Sequence, residues 1–118
     1  MAGARFARDM TTVIHHQFVV IAEFKVKPGA MPAFLALADD DARSSVAAEP
    51  GCRAFDVAVA QDDPETVVFY EVYDDRVAFD AHLETPHLAR FRAGFPALIV
   101  TERAVRFLER ACCGAEPA

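Results

Sequence analysis

The residues with the clearest chemical potential are one glutamate in an apolar stretch and two histidines that follow it. Glu71 stands in the segment Phe69-Tyr70-Glu71-Val72-Tyr73, and His82 and His87 come next along the chain. Burying a carboxylate among apolar residues is costly unless a partner compensates its charge. His82 is the nearest candidate, and a carboxylate beside an imidazole orients the ring and raises its basicity. We therefore predict a catalytic pair, in which Glu71 supports His82 as a general base near neutral pH.

Both histidines also have a purely structural interpretation. His82 follows Phe79 at helical spacing, so it is also expected as a satisfied, partly buried histidine. His87 lies in the first turn of a segment opened by Thr85 and Pro86, where the positive end of the helix disfavours an imidazolium. A neutral His87 is predicted to hydrogen-bond a ligand oxygen. The alternative is a histidine at the rim with no special role.

Tyrosine and phenylalanine side chains complete the predicted binding site. The hydroxyl group of Tyr73 is a candidate for orienting a substrate, and that of Tyr70 is a weaker one, since tyrosines in strands are more often packing residues. The predicted walls of the pocket are the phenyl groups of Phe55, Phe69, Phe79 and Phe91. Taken singly, each of these rings is more often part of an ordinary hydrophobic core.

The pattern of apolar residues and breakers divides the chain into strands and helices. Apolar residues alternate from Phe18 to Val26, and this period of two predicts a first strand. The remaining predicted elements are a helix opened by Pro32, a hairpin of strands 53–61 and 66–73, a short helix capped by Asp74 or Asp75, a helical segment from Thr85 toward Leu98, and a closing strand over 100–108. The apolar stripe of the first helix is predicted to include Phe34, Leu35, Ala38, Ala42 and Val46. The acids Asp39, Asp40 and Asp41 are expected on its solvated face.

The order strand, helix, strand, strand, helix, strand predicts an α+β fold of the ferredoxin-like type, an antiparallel sheet with helices on one face. Residues 18–108 are expected to form the domain, with a loose leader at 1–17 and a tail at 109–118. Val68, Tyr70 and Val72 make the second face of the third strand apolar as well. We expect a homodimer to cover that face, unless these residues are simply tolerated in solvent.

Composition excludes several classes of function. The net charge is −6 without any basic run, so nucleic acid and anionic membranes are poor partners. Apolar runs are too short for a membrane span, and three unspaced cysteines favour a reduced, cytoplasmic setting. The spacing of His82 and His87 is not that of a helical metal pair, and no glycine-rich phosphate loop is present. We therefore expect neither a zinc site nor a bound nucleotide.

Several short motifs together resemble the antibiotic biosynthesis monooxygenase domain. They are Glu49-Pro50-Gly51-Cys52-Arg53-Ala54-Phe55-Asp56-Val57, Gln61-Asp62-Asp63-Pro64, Phe69-Tyr70-Glu71-Val72-Tyr73, Ala78-Phe79, His82 and Thr85-Pro86-His87. The last motif is especially similar to the branch that contains quinol monooxygenases and autoinducer-2-degrading isomerases. The resemblance implies a dimeric α/β barrel of ferredoxin-like subunits, with a pocket between sheet and helices and activity without flavin, haem or metal.

The resemblance and the residues together leave three hypotheses. The first is a cofactor-independent monooxygenase that uses dioxygen to oxidise a small phenol or quinol, with His82 as the base. The second is an isomerase of a small dicarbonyl. A phosphorylated dicarbonyl needs a basic residue for its phosphate, and the candidates are Lys25, Arg43, Arg53 and Arg90. The third is a dimeric module that binds an apolar ligand without catalysis.

Overall fold

The computed structural model describes residues 17–112, which form five strands and three helices. The strands are β1 (Phe18–Val26), β2 (Cys52–Val59), β3 (Thr66–Tyr73), β4 (Ile99–Glu102) and β5 (Arg106–Glu109). The helices are α1 (Met31–Ala48), α2 (Arg76–His82) and α3 (Pro86–Gly94), and α3 continues into a 3-10 turn at Phe95–Leu98. The predicted leader, apart from Gln17, and the end of the predicted tail, including Cys113, lie outside the described residues.

The strands form one antiparallel sheet in the order β2-β3-β1-β4. This order confirms the predicted ferredoxin-like α+β fold. The closing strand differs from the prediction, because it is interrupted: β4 pairs with the end of β1 near Phe24, while β5 pairs with the beginning of β1 near Val19. Residues 103–105 join the two pieces, and the backbone N–H of Arg103 still donates to the carbonyl of Glu23 at 3.0 Å.

Pairing along the central strands determines what surrounds Glu71. In the register of the sheet, Val20 of β1 and Phe55 of β2 lie directly opposite Glu71. Side chains directly opposite each other in neighbouring strands point to the same face of the sheet. Glu71 therefore projects among apolar side chains toward the helices, as the alternation along β3 predicts.

Phenylalanine rings fill the space between sheet and helices. The ring of Phe24 packs against Phe34, Phe69 and Phe91 at centroid distances of 5.3, 5.0 and 5.8 Å. Burial of such large side chains is the main favourable term in folding, at about 25 cal/mol per Å² of apolar surface. The aromatic cluster thus holds α1 and α3 firmly on the sheet and fixes the frame around the site.

Helix α1 buries Phe34 and Ala38 of the predicted stripe, but beyond Ala38 it buries a different face. The predicted stripe continued through Ala42 and Val46, but Val46 is 49% exposed. Asp41, predicted to be solvated, is only 1% exposed, and Ser45 is fully buried. The reason is helical periodicity, because positions 34, 38, 41 and 45 lie on one face of a helix with 3.6 residues per turn. The second half of α1 therefore presents polar groups to the interior.

Two side chains cap the short helices that carry the histidines. Asp75 accepts a hydrogen bond from the backbone N–H of Ala78 at the start of α2, and Thr85 accepts one from Leu88 at the start of α3. Both caps agree with the sequence prediction, which left Asp74 as the alternative for α2. Because α2 ends at His82 and α3 begins at Pro86, His82 and His87 face each other across the junction, with ring centroids 5.9 Å apart.

The start of β2 lies unusually close to α2. A Cβ atom built on Gly51 would approach the Cβ of Ala78 to 2.6 Å, a distance that real Cβ atoms do not adopt. The backbone N–H of Asp74 also donates to the carbonyl of Gly51 at 2.8 Å. Glycine at position 51 therefore allows the turn after Glu49 to pack directly against the helix that carries His82.

Strand β5 is anchored by stacking. The ring of Phe107 packs on Phe18 and Phe79 at 5.6 and 5.5 Å, and the guanidinium group of Arg76 lies 5.3 Å from the Phe107 centroid. Aromatic pairs and cation-π contacts of this kind each contribute about 0.5–1.5 kcal/mol. These contacts hold the last strand against α2.

Candidate active site

A cavity of about 120 Å³ lies between the sheet and helices α2 and α3. Its apolar lining consists of Val20, Ala22, Phe24, Phe69, Phe79, Leu83, Leu88, Phe91, Phe95 and Val105. Its polar lining consists of Asp41, Glu71 and His82, which are buried, and Arg92 and Glu102, which are exposed. An apolar cavity of about 150 Å³ is known to bind benzene, so this one is close to the size of a single aromatic ring.

Glu71 is a buried carboxyl group whose proton is held unusually tightly. It is 5% exposed, and the hydroxyl group of Tyr73 donates to its Oε1 at 2.6 Å. Burial raises the pKa of Glu71 to about 8, although the hydrogen bond from Tyr73 acts in the opposite direction. Burial, together with the neighbouring Glu71, also raises the pKa of Tyr73. A carboxyl group with such a pKa is mostly protonated near neutral pH and can serve as a proton donor.

His82 is held by a carboxylate other than the predicted one. Its Nδ1 lies 2.8 Å from Oε2 of Glu49, and the same oxygen lies 2.5 Å from Nε2 of His87. Glu71 shares the cavity with His82, but its hydrogen bond goes to Tyr73. The predicted support of His82 by Glu71 is therefore replaced by support from Glu49. Glu49 follows α1 directly, and the packing of α1 on the sheet brings it over the ends of α2 and α3.

Two further polar residues of α1 lie beside the cluster formed by Glu49, His82 and His87. The hydroxyl group of Ser45 donates to Oδ1 of Asp41 at 3.4 Å and lies 3.5 Å from Nδ1 of His82. Burial raises the pKa of Asp41, while the nearby histidines act in the opposite direction. Sequence reasoning missed Asp41, Ser45 and Glu49 as site residues. Extending the Phe34 and Ala38 stripe by two more turns would have placed the first two on the inner face.

The predicted site residues fall into three groups. Glu71, His82, Phe69, Phe79 and Phe91 line the cavity. Phe55, Tyr73 and His87 are buried beside it and contact its lining: the rings of Phe55 and Tyr73 lie 6.1 and 5.4 Å from that of His82. Arg53 does neither.

Arg53 lies on the surface, away from the cavity. Its guanidinium group, with a side chain 57% exposed, forms two hydrogen bonds with Asp74 at 2.6 and 3.1 Å. Arg53 therefore does not line this cavity, and an irregularity in the register of β2 falls between Cys52 and Ala54, where Arg53 stands. The other basic candidates are also paired with acids elsewhere: Lys25 with Asp63, Arg43 with Asp39 and Arg90 with Asp40.

Three side chains of the cluster are also suited to hold a metal ion. Asp41, His82 and His87 each offer one ligand atom, and these atoms lie within 4.8 Å of one another. Imidazole nitrogen with carboxylate oxygen is a donor set that first-row transition metals prefer. The spacing of His82 and His87 did not predict this set, because the third donor comes from α1.

Comparison with known proteins places the chain in a family. The sequence profile described as Antibiotic biosynthesis monooxygenase matches residues 17–94, from the start of β1 to the end of α3. The chain belongs to the antibiotic biosynthesis monooxygenase family. The matched residues of this chain include Glu49, Glu71, His82 and His87.

Two individual proteins are also similar to the chain in sequence. Rv0793 of Mycobacterium tuberculosis, whose name provisionally describes a monooxygenase, is 38% identical over 89 residues, 75% of this chain and 86% of that protein. An uncharacterized Synechocystis protein, sll1783, is 32% identical over 81 residues, which cover 69% of this chain but only 54% of that protein.

Solved structures show the same fold. The structure of Rv0793 superposes with a TM-score of 0.72 at 32% identity, covering 86% of this chain and 98% of that one. A Bacteroides thetaiotaomicron structure of the same family name superposes with a TM-score of 0.78 at 18% identity, covering 89% and 99%. At that identity the second comparison supports the fold alone. Among residues 17–112, no helix is long and apolar enough to cross a membrane.

Proposed function

We propose that the protein is a monooxygenase that oxidises a small phenol or quinol with dioxygen and needs no bound cofactor. The observation that carries this proposal is a cavity the size of one aromatic ring, walled by phenyl groups, that exposes His82 and Glu71 to its occupant. A pair of titratable groups in different protonation states supplies both a proton acceptor and a proton donor. Membership of the family supports the same class of reaction.

His82 is the base of the proposed reaction. Its Nδ1 is engaged by Glu49, which leaves Nε2 as the nitrogen available to a ligand. A neutral imidazole with its proton on Nδ1 carries a lone pair on Nε2. Glu49 therefore favours the tautomer that can remove the proton of a phenolic hydroxyl group. The resulting phenolate is electron-rich enough to react with dioxygen directly.

The electrons for the reaction come from the substrate. The phenolate passes one electron to O₂, and the resulting substrate radical and superoxide combine to form a C–O bond at a ring carbon. Protonation of the distal oxygen, for which Glu71 is the donor, lets the O–O bond break as the ring C–H proton is lost. Overall, a phenol and O₂ give a quinone and water: one oxygen atom enters the product and the other leaves as water. No external reductant is required.

The surroundings of the cavity favour such chemistry. Phe69, Phe79 and Phe91 exclude water, so radical and peroxide species are protected from side reactions. The low polarity also strengthens each remaining electrostatic interaction with the phenolate. The aromatic walls suit an aromatic ring in size and in polarity.

Oxygen consumption with a panel of phenols and hydroquinones tests the proposal. The experiment uses EDTA-treated protein under ¹⁸O₂, and mass spectrometry follows incorporation of one ¹⁸O atom into the product. We expect turnover in the treated protein and a loss of about 10²–10⁴-fold in kcat for His82→Ala, the usual contribution of a general base. Glu84→Gln, at an exposed position between α2 and α3, is the control for Glu71→Gln.

Each contrary result has a defined meaning. Unchanged turnover in both His82→Ala and Glu71→Gln would refute the acid and base assignments. If ligands bind tightly but no quinol supports oxygen consumption, the chain is a non-catalytic binding module. If proton exchange next to a carbonyl group proceeds without oxygen consumption, the reaction is an isomerisation.

The isomerase has one supporting observation. Arg92 lines the cavity and is exposed, so a phosphate at the mouth would meet a guanidinium group. The basic residues named from the sequence do not line the cavity. Under this alternative, Arg92→Ala should weaken binding of a phosphorylated dicarbonyl, whereas turnover of an unsubstituted quinol should change little.

We also propose that the protein acts as a homodimer. Tyr70, Val100 and Leu108 are exposed apolar side chains on the sheet strands, with Tyr70 41% exposed. Val72, predicted to share that exposed face, is instead buried. Sedimentation velocity should give twice the monomer mass for the native chain, and Tyr70→Glu should shift the equilibrium toward monomer. A monomer at all concentrations would refute the dimer.

The cysteines support a reducing, cytoplasmic setting. Cys52 and Cys112 are both free thiols among the described residues. Burial raises the pKa of Cys52 to about 12, so this thiol is unreactive at neutral pH. A reducing compartment keeps such thiols from forming disulfides.

A further inference from the structure

We propose that Asp41, His82 and His87 form a binding site for one divalent transition-metal ion, and that the bound ion blocks the base of the reaction. The first half of this inference stands on geometry alone. The second half rests on the proposed function, in which His82 removes the substrate proton.

The geometry is that of a preformed ligand set. One ligand atom from each of Asp41, His82 and His87 lies within 4.8 Å of the others, and all three side chains are at least nine-tenths buried. Two imidazoles and one carboxylate are donors that select zinc, iron, cobalt or nickel over magnesium and calcium. The residues come from α1, α2 and α3, so packing of the fold already holds the ligand set together.

Glu49 supplies a second, independent observation. Its Oε2 lies within hydrogen-bond distance of a ring nitrogen of both His82 and His87, so two nitrogens converge on one point. Its Oε1 is buried and has no hydrogen-bond partner among the described residues. A buried acceptor without a partner is costly, and a cation coordinated beside it would remove that cost. Glu49 is therefore either a fourth ligand or the hydrogen-bonding partner of a ligand.

Charge balance favours a dication. Asp41 and Glu49 are two acids in a buried cluster whose remaining members, the two imidazoles and the hydroxyl group of Ser45, are neutral in their metal-binding forms. Burying uncompensated negative charge is unfavourable. One ion of charge +2 neutralises both carboxylates. Ser45 also donates to Asp41, which orients the carboxylate as outer hydrogen bonds do in metal sites.

The consequence for catalysis follows from the tautomer of His82. The nitrogen that faces Glu49 is Nδ1, so the ion takes the lone pair of Nδ1. A neutral imidazole coordinated through Nδ1 carries its proton on Nε2. The cavity then meets an N–H donor in place of a lone pair, and proton removal from the substrate stops. Metal binding would thus inhibit the proposed enzyme.

The binding test uses the full chain with His15→Ala and His16→Ala, which leaves His82 and His87 as the only imidazoles of the four. Titration calorimetry with Zn²⁺ and the visible spectrum with Co²⁺ should show one equivalent bound, with Mg²⁺ giving no signal. Asp41→Asn should lower the affinity at least tenfold. Asp39→Asn, an exposed position on the same helix, should bind as the parent does.

Several results would overturn the site. They are the absence of saturable Zn²⁺ or Co²⁺ binding in the parent, equal affinities in Asp41→Asn and Asp39→Asn, and thiolate charge-transfer bands that place Co²⁺ at the cysteines. Thermal unfolding with and without Zn²⁺ verifies that each variant is folded and should show stabilisation of the parent. His87→Gln provides a second ligand variant if Asp41→Asn does not fold.

Inhibition is measured separately from binding. One equivalent of Zn²⁺ should abolish oxygen consumption by the parent, and EDTA should restore it. Saturable binding without any change in turnover would overturn the inhibitory role and leave the metal site standing. If no substrate is ever turned over, the proposed function fails, while the calorimetric and spectral result still decides the metal site.

Discussion

The carboxylate of Glu49 holds Nδ1 of His82 at 2.8 Å, although 33 positions separate the two residues along the chain. Glu49 stands at the end of α1 and His82 at the end of α2, so the contact exists only once both helices pack on the sheet. It selects one tautomer of the imidazole and one orientation of the ring. Glu49 is thus a positioning residue for the proposed base.

Replacing Glu49 with Gln should reduce catalysis without closing the cavity. The amide is nearly isosteric, but it can present its N–H₂ group to His82 and favour the wrong tautomer. We expect kcat to fall roughly 10–100-fold, a fraction of what a general base contributes, with KM nearly unchanged. The measurement is kcat and KM across pH. An unchanged pH profile and kcat would show that Glu49 plays only a structural part.

Glu71 should make the fold less stable as the pH rises. Its pKa of about 8 in the folded protein lies above its ordinary value of 4.5, because burial disfavours the charged form. The folded state therefore binds more protons than the unfolded state between these values. The contribution of Glu71 is fully present below pH 4.5 and is lost as the pH rises through about 8.

The matched variant for this effect is Glu71→Gln, which stays neutral at every pH. We expect the decline in the free energy of unfolding from pH 5 to pH 9 to be smaller in the variant by roughly a few kcal/mol, since one pKa unit corresponds to about 1.4 kcal/mol. Urea unfolding at several pH values measures it. Parallel stability curves for the two proteins would contradict the raised pKa.

Tyr73→Phe should raise the pKa of Glu71 further. The hydroxyl group of Tyr73 donates to Glu71 Oε1 at 2.6 Å and stabilises the ionised carboxylate, opposing the effect of burial. Without it, the ionised form loses its hydrogen bond. The ¹³C chemical shift of the labelled carboxyl group as a function of pH reports the change. Tyr70→Phe, whose side chain is exposed, should leave the titration of Glu71 in place.

Gly51→Ala should destabilise the fold through a steric conflict. The new methyl group would lie 2.6 Å from the Cβ of Ala78, so β2 and α2 must separate. Overpacking of this kind costs about 1–3 kcal/mol, and the free energy of unfolding from urea titration measures it. Gly94→Ala is the control, because it meets the flexible end of Leu37.

A compensating variant makes the same prediction more specific. Gly51→Ala combined with Ala78→Gly should recover most of the lost stability, apart from the cost of about 1 kcal/mol for glycine in a helix. If the double variant is no more stable than Gly51→Ala alone, the contact with Ala78 is not the cause.

The fold was predictable because local signals agreed with one another. The period of two in β1, the turn at Glu49-Pro50-Gly51 and the caps at Asp75 and Thr85 each specify a boundary that depends on nearby residues. The interruption between β4 and β5 was not predictable in this way. It depends on how two short segments share one edge of β1.

The candidate site was predictable only in part. Glu71 and His82 share a cavity because strand alternation and helical spacing direct both inward, and these are properties of the sequence. The partnership of His82 with Glu49 and the burial of Asp41 depend on how far α1 rotates and where it ends over α2 and α3. Single-sequence periodicity does not determine this packing, and the apolar stripe through Val46 pointed to the wrong rotation.

The gap between β4 and β5 leaves one part of the cavity wall outside the strand pairing. Val105 of this gap lines the cavity, and the next strand begins at Arg106. The pairs that β1 forms with β4 and with β5 lie on either side of residues 103–105. The side chain at position 105 is therefore a place where the width of the cavity can vary without altering the register of the sheet.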